Sequence, residues 1–428
     1  MPEKFPLTKR ALSKWLTAVA ALADQVWLSA LNFIVALTFI RDASKRDYAL
    51  FVLLQAPILL IQGVQNALFI SPQATLLPAT SESRKPVVKN TASAGQATIA
   101  LSAAIISGTG LFVYRRMTDH TDEWTLASAY VVTILGAMAR EGVRALRYAE
   151  AHSVRALAGD LAYGLSLLLT LAILVGEHAV TVRNVLIVMG LTGLIPLAHA
   201  AWRQPLPNTD RTAWEEFWAC GRWALPSVIA TWLNLNAYPY IAALALGSAA
   251  VADLSAARLF VMPIGVSITA WSNLMRPKIS ALISRSDQRT VRRLSLTSLA
   301  VAESGLLIFV LIIALAYPLL QKVMGTKYQG LLPLILLWSL LFSMSLMRSI
   351  FMATLMARPA GYRQLHHLSW FSLAIGLPTM ALLAHKGPIW VVGILCCVEG
   401  LTSWIVAKMA INTWKRSGSL ERASSASH

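Results

Sequence analysis

Apolar runs of about twenty residues, enough to cross a roughly 30 Å hydrocarbon core, recur along the whole chain, separated by short polar or basic stretches. Twelve can be delimited, at roughly 16–40, 48–76, 91–114, 125–146, 156–176, 182–202, 223–247, 252–275, 294–318, 330–354, 365–384 and 388–411. The pattern predicts an all-α polytopic membrane protein with twelve transmembrane helices. Loops on the side away from the termini are about ten residues long. They are too short to fold into a domain, so any chemistry belongs within the membrane or at its surface.

A second pattern is superimposed on the first. The string RDYALFVLLQAP at 46–57 and the string ADLSAARLFVMP at 252–263 align at an offset of 206 residues. Asp47 then falls on Asp253, Leu53 on Leu259 and Pro57 on Pro263, while Gln25 falls on Thr231 and Asn32 on Tyr238. The offset predicts two pseudo-repeated six-helix bundles of the same orientation, 1–202 and 223–412. Between them, 203–222 is expected to be a cytoplasmic amphipathic linker. Thr212 and Glu215 there match a capping box and Trp214 and Trp218 share a face, which predicts a short helix lying in the interface. The Ser-rich tail, 413–428, is expected to be disordered.

Composition agrees with the pattern. Of 428 residues, 56% are hydrophobic and 13% charged, with a mean hydropathy of +0.59, whereas soluble domains carry about 25% charged residues. The basic start is followed by an apolar run that is too long for a cleaved leader and contains Asp24, so a retained first helix is expected. A net charge of +17 raises the question of nucleic acid, but the distribution of the charge answers it. With the N-terminus inside, twenty-six Lys and Arg fall in cytoplasmic segments and nine on the opposite side. This is the positive-inside distribution. It predicts that both termini are cytoplasmic and that the basic excess meets membrane lipids rather than nucleic acid. Cys220, Cys396 and Cys397 form no disulfide framework, and the histidines have no metal spacing. No cofactor is expected.

Polar groups inside the runs carry the candidate chemistry, because membrane helices hide them only against other helices or a water-filled cavity. Ser227, Thr231, Asn234 and Tyr238 share one face of the seventh run. Gln25, Ser29 and Asn32 do so on the first, and Gln55, Gln62 and Asn66 lie on the second. Interhelical hydrogen bonding would explain one such stripe; three predict a hydrated central cavity between the bundles. Arg258 and Arg348 lie inside runs, and Arg140 begins an i, i+4, i+7 series with Arg144 and Arg147. A guanidinium offers a planar fork of donors suited to phosphate, so these three are candidate substrate-binding residues alongside Asn234, Tyr238, Gln25, Asn32 and Gln62. Snorkelling to headgroups is the competing reading for Arg140. Asp24, Glu303 and Glu399 are in-run acids. Each is either an ion-coupling site or a static partner for a buried arginine.

The twelve-run plan, the short loops, the block GRWALPSVIATWLNLNAYPYIAALALGSAAVADLSAARLFVMPIG at 221–265 and its echo IVALTFIRDASKRDYALFVLLQAP at 34–57 resemble the Wzx-type polysaccharide flippases. These belong to the multidrug/oligosaccharidyl-lipid/polysaccharide exporter superfamily. The resemblance implies a bacterial cytoplasmic (inner) membrane protein, not an enzyme, with two lobes around a cationic cavity. Its implied substrate is a polyprenyl-diphosphate-linked oligosaccharide, moved from the inner to the outer leaflet by alternating access. A proton or sodium gradient would drive the movement, in company with a polysaccharide polymerase and a chain-length regulator. Asp24, where an arginine would make the cavity more basic, departs from the peptidoglycan-precursor subgroup. A multidrug or cation antiporter of the same superfamily is the alternative, disfavoured by the in-run bases. A membrane-embedded glycan polymerase would need a larger outer loop than 115–124 or 319–329 provides.

Overall fold

The computed structural model describes residues 9–118, 123–197, 209–222, 224–285, 287–356 and 359–425, which are helical nearly throughout and include no strand. Contacts divide the chain into two compact units, Met1–Trp232 and Leu233–His428. Ten helices among the described residues are long and apolar enough to cross a membrane. Many large apolar side chains lie on their outer faces, among them Val301, Leu307, Ile308, Leu311, Ile312, Leu315 and Leu319 on one helix. Such continuous apolar exposure suits lipid rather than water, and the chain is a multi-pass membrane protein.

Unit 1 contains α1 (Lys9–Asp42), α2 (Lys45–Gln65), α3 (Ser71–Ala79), α4 (Lys85–Met117), α5 (Glu123–Ala149), α6 (Ser153–Gly176), α7 (Val182–Gly193) and α8 (Arg211–Gly221). A π-helical turn, Asn66–Ile70, joins α2 to α3. Its wider winding lets the Ser71 amide return to the Asn66 carbonyl just before Pro72, which has no amide hydrogen to offer. Near Pro57 the carbonyls of Leu54 and Ala56 accept hydrogen bonds from Tyr130 Oη at 2.9 Å and Trp232 Nε1 at 2.7 Å. Side chains thus hold the backbone around the proline. Helices α5 and α7 meet through glycines: a Cβ on Gly136 would lie 2.0 Å from the Gly190 carbonyl oxygen. This is the small-residue contact by which membrane helices bring their backbones together.

α9 (Leu225–Asn236) crosses the division between the units. Unit 2 continues with α10 (Tyr238–Leu246), α11 (Ser248–Ser284), α12 (Gln288–Met324), α13 (Leu332–Met356), α14 (Pro359–Leu383) and α15 (Pro388–Ser425). The turn into α11 needs Gly247, whose φ of 86° lies in the left-handed region. α13 packs against α11, α12 and α15. At one end, Ile279, Val291, Phe351, Val406 and Trp414 form a buried cluster.

Four expectations change. The seventh run is two helices, α9 and α10, broken at Ala237 so that Pro239 falls in the first turn of α10, where its missing amide costs no hydrogen bond; Tyr238 therefore leaves the expected single face of Ser227, Thr231 and Asn234. The sixth run is a shorter helix, Val182–Leu197, and 198–208 lie outside the described residues. The capping box does not form: Asp210, not Thr212, caps α8 by accepting from the Thr212 amide. α8 itself turns Phe217 into a buried cluster with Phe69, Leu77, Val88 and Ala92, so it docks on unit 1, with Trp218 left exposed. Finally, α15 runs to Ser425 through the tail expected to be disordered. A helix already nucleated by a span extends cheaply through residues such as Leu420, Glu421 and Ala423.

Candidate functional site

In unit 1, α1, α5 and α6 bring charges together inside their spans. Asp24 and Asp160 are each about 1% exposed. Arg144 Nη1 lies 3.6 Å from Asp24 Oδ2, and Arg144 Nε lies 4.0 Å from Asp160 Oδ2. Arg144 also donates to Glu141 at 2.7 Å. Arg140 Nη1 lies 3.6 Å from Asp160 Oδ1 while its guanidinium stacks 4.4 Å above the Tyr163 ring. Tyr148 donates to Asp24 Oδ2 at 2.6 Å, and Trp27 Nε1 donates to the Asp160 carbonyl at 2.9 Å. Asp24 Oδ1, Asp160 Oδ2 and Arg140 Nη1 are buried without a hydrogen-bond partner.

Helical spacing explains the convergence. Arg140 and Arg144 lie one turn apart on α5, and Asp160 and Tyr163 lie one turn apart on α6. Arg147, the next member of the α5 series, instead gives Nη1 to the Arg155 carbonyl at 2.8 Å. Among the groups in direct contact, three carboxylates therefore face two guanidiniums, a local surplus of one negative charge when all are ionised, while the charge of Arg147 acts on Asp160 from farther out. One bound proton or monovalent cation would balance it.

Beside this cluster lies a chain of buried amides. Gln65 donates to Gln96 Oε1 at 3.0 Å and to the Met138 carbonyl at 3.1 Å, and Gln96 donates to Gln73 at 3.4 Å. Gly142 makes room, since a Cβ there would lie 2.3 Å from Gln96 Oε1. Of the amides singled out by sequence, Gln62 is half-buried, whereas Gln25 and Asn32 share an exposed face of α1 turned away from the buried Asp24 side.

In unit 2, Arg258 on α11 lies among aromatic rings. Its guanidinium carbon is 5.6 Å from the Tyr238 ring centre and 5.3 Å from that of Trp338, within cation–π range. Nη1 donates to Tyr238 Oη at 3.3 Å, and Nε is buried without a hydrogen-bond partner. Trp338 is fixed by donating to the Leu254 carbonyl at 3.1 Å, and its ring meets Tyr238 edge-on at 5.1 Å. Among the described residues no carboxylate forms an ion pair with Arg258. Tyr238 is buried as the support of this cation.

The other predicted residues of unit 2 fall into pairs. Arg348 Nε meets Glu399 Oε1 at 2.7 Å. Glu303 accepts from Ser343 Oγ at 2.8 Å. Asn234 donates to the Ser369 carbonyl at 3.3 Å and accepts from Ser372 at 3.4 Å. Sequence reasoning passed over Asp160, Tyr148, Gln65 and Trp338. Asp160 carried a usable signal, an acid inside a predicted run with two in-run arginines to balance.

No protein-family model matches the chain, and no curated protein matches it. Solved structures do match. An inward-facing multidrug resistance MATE family transporter of the MOP superfamily aligns over 94% of this chain and 96% of its own, with a TM-score of 0.71 and 14% identity. A MOP superfamily transporter from Pyrococcus furiosus, described as having a binding pocket of reverse polarity that suggests a different function, covers 95% and 94% with a TM-score of 0.60 and 14% identity. An outward-facing MATE family transporter covers 95% and 94% with a TM-score of 0.56 and 13% identity. At these identities the likeness is one of fold, and the fold is that of a polytopic membrane transporter.

Proposed function

We propose that the chain is an ion-coupled secondary transporter of the MOP superfamily that moves an anionic lipid-linked oligosaccharide across the cytoplasmic membrane. The substrate class is a polyprenyl diphosphate carrying a glycan. The observation that carries the reading is Arg258, an in-span cation with aromatic rather than carboxylate neighbours. Such a charge is costly in a membrane unless it serves a ligand or lines water, and its spare donors suit a diphosphate. Arg348, neutralised by Glu399, holds α13 to α15. Relatives in fold that were captured inward- and outward-facing support alternating access.

The surplus carboxylate of unit 1 supplies the coupling. With Asp24 or Asp160 protonated, or a sodium ion bound, the cluster is neutral; with the ion released, the arginines and carboxylates regroup. The gradient then acts through the difference in ion affinity between the two access states.

A multidrug or cation antiporter is the second reading, favoured by that same surplus negative charge. Proteoliposomes separate the two. Flipping of a fluorescent polyprenyl-diphosphate glycan is expected in wild type and reduced at least tenfold in Arg258→Ala, an effect on the order of 1.4 kcal/mol or more. Equal rates would remove Arg258 from the site. Gradient-driven uptake of an organic cation without glycan flipping would replace the first reading by the second.

A further inference from the structure

Outside the charged cluster, unit 1 contains a cavity of about 470 Å³, within the range of about 300–1,000 Å³ common for small-ligand sites. Its polar wall comes from three separate points in the chain. The start of α2 contributes Ser44, Arg46 and Asp47, the end of α4 contributes Arg115, and the start of α7 contributes Thr181 and Arg183. Leu126 and Val182, both buried, are also in the lining.

Among the described residues that line it, three guanidiniums accompany one carboxylate, and that carboxylate is committed locally. Asp47 accepts from Ser44 Oγ at 2.6 Å, and its own amide donates back to Ser44 Oγ at 3.0 Å. The caps of two helices, Ser44 of α2 and Thr181 of α7, line the same space. Their first-turn amides and positive dipole ends therefore lie beside the arginines, an arrangement that favours anions.

Two features of the sequence make structural necessity an inadequate explanation. On the topology expected from the charge distribution, this cavity opens on the extracytoplasmic side, where the positive-inside rule depletes arginine. Six of the nine basic residues assigned there nonetheless precede residue 203, and three of them meet at this cavity. The 206-residue repeat places Arg46 over Ala252 while keeping the acid, Asp47 over Asp253. The second copy begins its long helix without the arginine, so beginning a helix does not require one.

We propose that this cavity is a binding site for a phosphate-bearing anion, a phosphodiester or diphosphate, held by Arg46, Arg115 and Arg183. The group would come either from a lipid headgroup or from a soluble molecule. Binding here is independent of the transport reading, because it needs neither Arg258 nor a gradient and is measured in detergent, where sidedness plays no part.

The full-length protein in detergent is titrated calorimetrically with inorganic pyrophosphate, and the phosphatidylglycerol it retains is weighed by native mass spectrometry. Saturable pyrophosphate binding, weakened about tenfold or more in Arg46→Gln/Arg183→Gln through loss of two charge-assisted donors, supports the site and a soluble source. Retained phosphatidylglycerol that is lost in the same variant, and displaced by pyrophosphate, supports the site and a lipid source. Arg41→Gln/Arg116→Gln, which removes two charges of the same face outside the cavity, is expected to leave both readouts unchanged. The single variant Arg183→Glu, at an exposed position, serves if the double variant folds poorly. The proposal is overturned if no variant-sensitive binding occurs in either arm, or if the control pair weakens binding as much.

Discussion

Tyr148 donates its hydroxyl to Asp24 Oδ2 at 2.6 Å, across 124 positions of the chain, and Arg144 lies 3.6 Å from the same oxygen. The shared acceptor ties α1 to α5 at a point where three carboxylates face two guanidiniums. Asp24→Asn brings that balance to zero, so the variant is expected to fold with little loss of stability. Flipping in proteoliposomes should then become insensitive to the imposed ion gradient. Arg144→Gln moves the balance the other way, leaving three carboxylates to one guanidinium. Breaking a buried pair in that way costs about 3–5 kcal/mol, to be read as a large fall in Tm. If Asp24→Asn still responds to the gradient as wild type does, the coupling assignment is wrong.

Arg258 depends on Trp338 and Tyr238 for its position, and the three residues should separate by substitution. Arg258→Lys keeps the charge but loses the planar fork and much of the stacking. It is expected to flip glycan more slowly than wild type and faster than Arg258→Ala. Trp338→Leu removes a ring worth about 0.5–2 kcal/mol to the cation and should raise the apparent KM while leaving charge-dependent binding intact. Indistinguishable rates for Arg258→Lys and Arg258→Ala would show that charge plays no part at this position.

The pair Arg348–Glu399 makes a contrasting prediction. If the 2.7 Å bridge serves packing, its polarity is reversible. Arg348→Glu and Glu399→Arg alone each place like charges together inside a span and should lower stability by about 3 kcal/mol. The double reversal should recover more than half of that loss and most of the flipping rate. A double variant that is stable yet inactive would instead assign one of the two to substrate or ion.

Much of this was legible before coordinates. Length and hydropathy placed ten of the spans, because a membrane admits few alternatives to a twenty-residue apolar helix. Which polar group meets which was not legible, because facing depends on how helices rotate against one another. Asp24 and Gln25 are adjacent in sequence, yet one is buried in an ion cluster and the other exposed. Asp160 and Arg140 find each other across twenty residues only because α5 and α6 pack antiparallel over a short turn. Tyr148 lay beyond the expected end of the fourth run, since charged and aromatic residues at a span's end lower hydropathy without ending the helix. The break at Ala237 was signalled by Pro239 but lay within a run long enough to read as one span.

Helix approach in unit 1 provides a stability test. A Cβ on Gly190 would lie 2.6 Å from backbone atoms of Val132, and one on Gly193 would lie 2.8 Å from Gly136. Backbone cannot yield as a side chain would, so α5 and α7 must separate. Gly190→Ala is expected to cost about 1–3 kcal/mol as an overpacking change. Gly110→Ala on α4, where nothing lies within 4 Å of the added atom, should be neutral or gain up to about 1 kcal/mol from helix propensity. Thermal unfolding followed by circular dichroism reads both. Equal Tm values for the two variants would contradict the close contact.

Acid should release α8 before it disturbs the spans. Asp210 caps this helix, and hydrogen bonds from the Thr212 hydroxyl and then the Thr212 amide hold its carboxyl below the ordinary value of 3.8. A group whose pKa is depressed by folding stabilises the fold fully above its ordinary value, and that contribution disappears as pH falls through the depressed one. Arg84 adds a second tether at the same end, donating to Thr212 Oγ1 at 3.2 Å and Glu216 Oε1 at 3.0 Å. Cys220 is exposed on α8 and can hold an environment-sensitive fluorophore once Cys397 is replaced by serine. The label is expected to report undocking of α8 as pH drops below about 4, the ordinary carboxylate range. Asp210→Asn keeps a capping side chain without a titrating proton, so the part of the transition owed to this cap should vanish. An unchanged curve in Asp210→Asn would show that this cap plays no part in the acid response.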